Sequence, residues 1–172
     1  PLTTILSGGL GTGVGGKVLQ FKQYTSTTAL RTNNIIPLDD TVPASTEGGQ
    51  VMTAAFTPTS ATSDIFILVN VFGNEHSNFV STICVPLFAG TTHLQTGYMA
   101  CRSGDGSDGH TWNQTSFMTK HTPGSTDAIT YSVRMGCEQS SGYIESLDDA
   151  TSIQGSRYGS TIKNTMTIWE VE

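Results

Sequence analysis

Trp112 and Asn113 stand directly after the glycine-rich stretch Gly104-Asp105-Gly106-Ser107-Asp108-Gly109, with His110 between. An exposed aromatic beside amides and carboxylates is the composition of a shallow sugar site. The π-face takes the sugar ring, and the polar forks take its hydroxyls. Tyr143, Arg157 and Tyr158 lie near other turns. Together with Trp112, Asn113, His110, Asp105 and Asp108 they are the candidate sugar-binding residues. The plainer role for Trp112 is a core anchor, and the two roles predict different surroundings for its indole.

Other reactive groups point to less. The 104–109 stretch has the tight glycine turn of a calcium loop, but it supplies two carboxylates and lacks a distal Glu. His76, His93, His110 and His121 are scattered, and none has the spacing of a metal pair. Asp39-Asp40 and Asp148-Asp149 are adjacent carboxylates; strand neighbours point to opposite faces, so turn formation is the better account. Gly11-Thr12-Gly13-Val14-Gly15-Gly16-Lys17 has the GxxxxGK spacing of a phosphate loop. That loop needs a Ser or Thr next and then a helix, whereas Val18 and a strand-like run follow. There is no GxSxG elbow. Asn113-Gln114-Thr115 is formally a glycosylation acceptor. The expectation is a protein without catalytic residues, metal or cofactor.

Composition narrows the partners. The net charge is −6 and no Lys/Arg cluster exists to neutralise phosphates, so neither nucleic acid nor anionic lipid is an expected partner. No apolar run is long enough to span a membrane, so membrane insertion is not expected. Charged residues make up 13% of the chain, about half the usual share. Helix surfaces need those long charged side chains, and the abundant Ser and Thr suit strands and turns instead. Cys84, Cys101 and Cys137 have no ligand spacing and read as small buried hydrophobes.

The elements that must position these residues are short strands. Residues 64–73 form the densest apolar run, β-branched and aromatic, which reads as a central strand buried on both faces. Residues 79–88 read as its returning partner. Further candidates are 18–25, 50–57, 93–102, 111–120, 128–137, 143–147 and 161–171, with 33–43 an extended or turn segment held off helix by two prolines. In the last strand Ile162, Asn164, Met166, Ile168 and Glu170 share one face. Residues 1–16 hold six glycines and read as an extended lead-in, leaving 17–172 as one domain. A start at Pro1 reads as a fragment of something longer. About nine strands without helical periodicity give an all-β sandwich or barrel.

Several motifs carry a resemblance: Val18-Leu19-Gln20 after the glycines, Ile36-Pro37-Leu38-Asp39-Asp40-Thr41-Val42-Pro43, Glu47-Gly48-Gly49, Phe56-Thr57-Pro58, Tyr158-Gly159, and Met166-Thr167-Ile168-Trp169-Glu170-Val171. In these the chain resembles phage tail-fibre and virion-spike tip domains over most of 17–172. The resemblance implies a jelly-roll-like antiparallel β-sandwich that forms a homotrimer at a fibre tip and binds a host-surface glycan or protein. The glycine-rich lead would be the exit from a stem. A structural trimerisation or decoration module is the alternative, and an enzyme acting on nucleotides or glycans is the third possibility.

Overall fold

The computed structural model describes residues 16–76, 80–102, 112–138, 143–147 and 161–172. Ten strands form in chain order: β1 (Val18–Ser26), β2 (Leu30–Thr32), β3 (Gly49–Phe56), β4 (Asp64–His76), β5 (Val80–Ala89), β6 (Thr92–Arg102), β7 (Asn113–His121), β8 (Ile129–Cys137), β9 (Tyr143–Ser146) and β10 (Asn164–Val171). Among the described residues no helix forms, as the missing 3.6-residue periodicity required.

The strands make two antiparallel sheets. The first runs β1-β10-β4-β7, with β2 and β9 continuing the lines of β1 and β10; the second runs β3-β8-β5-β6. Setting β2 and β9 aside, the first sheet takes the first, eighth, third and sixth strands, and the second takes the second, seventh, fourth and fifth. That interleaving is the double Greek key of a jelly-roll sandwich. The jelly-roll expectation holds.

Strand β4 is the longest, at 13 residues. It pairs β10 over Asp64 to Asn70, β9 over Asn74 to His76, and β7 over Ile65 to Gly73. Its odd-numbered residues Ile65, Ile67, Val69 and Val71 are fully buried and meet Met166 and Ile168 of β10 in the core. The second sheet answers with Met52, Ala54, Phe56, Ile83, Val85, Leu87, Tyr131, Val133 and Met135. Each such aliphatic side chain contributes roughly 1.5–3 kcal/mol of burial, which is what clamps the layers together.

Two expectations need correction. Residues 79–88 do not return beside β4: β5 lies in the opposite sheet, between β6 and β8. Nor is β4 buried on both faces. Phe66, Leu68 and Phe72 point outward and are only half-buried. Strand β2 is an addition, since three residues are too few to show a period. The 33–48 connection combines extended backbone with bends at 39–41 and a turn at 45–48, and it is pinned by Ile36. The Ile36 N–H donates to the Cys137 carbonyl at 3.0 Å, and the Gly48 N–H donates to the Ile35 carbonyl at 3.1 Å. Ile36 is fully buried in space that side chains at Gly48 and Gly136 would occupy. Gly48 also has φ +65°, a left-handed conformation that favours glycine. Arg134 holds the same turn by donating to the carbonyls of Glu47 and Gly48.

Pro86 sits mid-strand in β5 and has no N–H to give. The β5–β8 pairing lapses there, between Cys84↔Gly136 and Leu87↔Val133. Cys137 is buried, as its type suggested, and burial pushes the half-buried Cys84 thiol up.

Candidate functional site

The sandwich has two unlike ends. At one end the connections are short: 57–63, 90–91 and 122–128. The first described strand begins and the last one ends there, with the Lys17 N–H donating to the Glu172 carbonyl at 3.0 Å and the Glu172 N–H returning the bond at 2.9 Å. At the other end lie 27–48 and the strand ends that flank 77–79, 103–112, 138–142 and 147–163. Antiparallel register fixes this division: Val171 sits opposite both Val18 and Asp64, while Gly73 meets Asn113 and His76 meets Tyr143.

The far end therefore gathers the candidate residues it can be tested on. Asn113 opens β7 and donates from Nδ2 to the Ala100 carbonyl of β6 at 3.0 Å, tying the two sheets at their margin. Trp112 precedes it, half-buried and outside the core cluster, so it is no core anchor. Its indole N–H is shielded from solvent and has no acceptor. Tyr143 opens β9, three residues along β4 from Asn113's partner. Asp105, Asp108, His110, Arg157 and Tyr158 lie outside the described residues, as do the 104–109 turn, Asp148-Asp149, and all of the lead-in except Gly16.

A second group at this end was not legible as a site. Arg31, Glu145 and Asn74 are consecutive cross-strand partners on β2, β9 and β4. Asn74 is fully buried, and neither its amide nitrogen nor its oxygen has a hydrogen-bond partner. Glu145 is 3% exposed; its Oε1 lies 3.5 Å from Arg31 Nε but accepts no hydrogen bond. In sequence these residues look like an ordinary polar strand surface. Parity could not have found them: it puts Asn74 in the outward series of Phe66, Leu68 and Phe72, and its burial appears only once the strands are assembled.

The near end is the opposite case. Glu170 of β10 is fully buried, yet every demand of its carboxylate is met. It accepts from Thr59 N at 2.7 Å, Ser60 N at 3.0 Å, Thr59 Oγ1 at 3.0 Å, Ser63 Oγ at 2.7 Å and Gln20 Nε2 at 2.7 Å. Burial alone would raise its pKa, but these donors outweigh it and hold the carboxyl at about 2. Asp39 is turn-forming, accepting from the Thr41 N–H at 2.8 Å and hydroxyl at 2.6 Å. Lys17 leads straight into β1, so a strand and not a helix follows it. An open hollow of about 340 Å³ near Gly90, Thr92, His121 and Ile129 holds one histidine, which is hydrogen-bonded to Tyr131 at 2.9 Å. Among the described residues no cluster of three His, Cys, Asp or Glu could hold a metal.

No protein-family model matches the chain, and no curated protein matches it. Among solved structures it is similar to a chain in the structure of infectious bursal disease virus, Gx strain, with 13% identity and a TM-score of 0.39. A chain in the Gt-strain structure of the same virus gives 11% identity and a TM-score of 0.27. Each comparison covers 90% of this chain, which spans under two-fifths of the solved chains.

Proposed function

We propose that this is a non-enzymatic attachment domain of a virion fibre or spike, which self-associates, as a homotrimer, and meets a host-surface glycan or protein through its long-connection end. The viral assignment rests on the motif resemblance given above. The single observation that carries the choice of surface is an asymmetry of polar satisfaction. Among the described residues, every buried side-chain atom without a hydrogen-bond partner belongs to Asn74, Glu145 or Trp112, all at the far end. Orphaned buried polar groups cost about 1–3 kcal/mol each, and folds retain them where a surface is shaped for something besides stability. The near end, where Lys17 and Glu172 pair, satisfies even a buried carboxylate. A domain tethered at the near end would present the far end outward.

Adsorption of purified domain to host cells, with a glycan array alongside, tests this. Trp112→Ala and Asn113→Ala should each lower binding about tenfold or more with the strand circular dichroism unchanged. Unchanged adsorption in both variants would remove the far end as the contact surface. In the second reading the domain is a structural decoration module. Particles lacking it would then adsorb normally but lose infectivity sooner on heating.

A further inference from the structure

We infer that copies of this chain meet through the outer face of the first sheet. The inference deepens the self-association just proposed and rests on it. Cross-strand register lines up Phe21, Trp169 and Phe66 in one row and places Leu68 beside Met118 in the next. Phe21 and Met118 are each 56% exposed, and the three between them are half-buried. Phe21 meets Trp169 edge-on, with ring centroids 5.6 Å apart, so the aromatic centre is preformed. Gln23, Asn70 and Gln114 supply an amide margin on the same face. An apolar centre with a polar margin is the anatomy of a protein interface.

The opposite sheet is built differently. Its strands turn Thr53, Thr130, Ser132 and Thr96 outward, and among its described strand residues Tyr98 is the one large exposed apolar side chain. Ser/Thr faces need no cover, whereas a contiguous aromatic and aliphatic patch does.

Charge selects a second copy as the occupant. The chain carries −6 overall, so two copies repel through most approaches. On the outward face of β1, β10, β4 and β7 the charged side chains are Asp64 and Lys120, which pair at 3.1 Å and cancel. This is a face on which an acidic protein approaches itself without charge repulsion, and it offers nothing to select a charged stranger. Area is consistent. Four strands at about 4.8 Å spacing and about 3.3 Å per residue, over the eight residues of β10, give roughly 500 Å² of projected face. Side-chain relief brings that towards the about 800 Å² per partner of a stable interface.

Light scattering on the full chain between about 1 and 100 μM reads the outcome. The wild-type protein should give a multiple of the chain mass. Phe21→Ser and Met118→Glu, on opposite edge strands, should each raise the dissociation constant at least 100-fold and leave a folded monomer. Tyr98→Glu, on the other sheet, should leave assembly unchanged. Because the two variants sit on different strands, a folding failure in one leaves the other to decide. Oligomers that survive in a folded variant would overturn this interface while leaving self-association standing. A wild-type monomer across the whole range would overturn both.

Discussion

Glu170 accepts a hydrogen bond from the Ser63 hydroxyl at 2.7 Å, across 107 residues of chain, with both groups buried. The bond fastens the 57–63 connection, which carries the chain from one sheet to the other, onto the last strand. Replacing Glu170 with Ala strands the donors of Thr59, Ser60 and Ser63 and should cost roughly 3 kcal/mol, read from urea unfolding. The pH dependence has a definite sign. The folded carboxyl titrates near 2 against an ordinary 4.5, so its stabilisation is complete above 4.5 and is lost as pH falls towards 2. Glu170→Gln should flatten that acid limb of the stability curve.

Ile36 and Gly136 compete for one space. A Cβ at Gly136 would lie 2.5 Å from Ile36 Cγ1 and 2.9 Å from the Ile36 nitrogen. Gly136→Ala should therefore destabilise by about 1–3 kcal/mol, as overpacking does. Combined with Ile36→Ala, the loss should be smaller than the sum of the two single losses. Strict additivity in the double-mutant cycle would mean that the clamp is absent.

Asn74→Leu tests the orphaned pair. Removing a buried amide without partners, at nearly constant shape, should raise the melting temperature, with a gain on the order of 1 kcal/mol. The same change should weaken host adsorption if the far end is shaped for contact. A stability loss would show that Asn74 is satisfied in solution.

His121 sets a second pH limb. Burial against Tyr131 holds its imidazole below the usual histidine value, so the folded state resists the proton that the unfolded chain accepts. Its stabilisation is present above pH about 6.5 and declines as pH falls below it. Melting curves from pH 8 to 5 should show the decline, and His121→Gln should reduce it.

The alternation of Asn164, Met166, Ile168 and Glu170 was readable because a strand records its inner face every second residue, and all four are buried. The same rule failed on β4 for a physical reason. Phe66, Leu68 and Phe72 are as apolar as the core residues between them, and composition cannot tell a face covered by the same chain from one awaiting a cover. Partnership was equally hidden: β4 and β5 follow one another, yet the Greek key sends them to different sheets. At the far end, the glycine-rich turn before Trp112 marked the location. The burial of Asn74 and Glu145 left no such mark, since it depends on which strands lie beside them.

Strands β9 and β10 lie end to end along one side of β4, and Asn164 splices them. Its amide donates to the Ser146 hydroxyl at 2.7 Å, while its oxygen accepts from the Phe72 N–H at 3.0 Å. The chain thus leaves the sheet after Ser146 and rejoins it at Asn164, almost the same place. Closing a longer excursion costs only about 0.6 kcal/mol for each doubling of its length. This position is a graft port by design of the register: an insert placed between Leu147, itself 5% exposed, and Thr161 should leave every rung of both ladders in place.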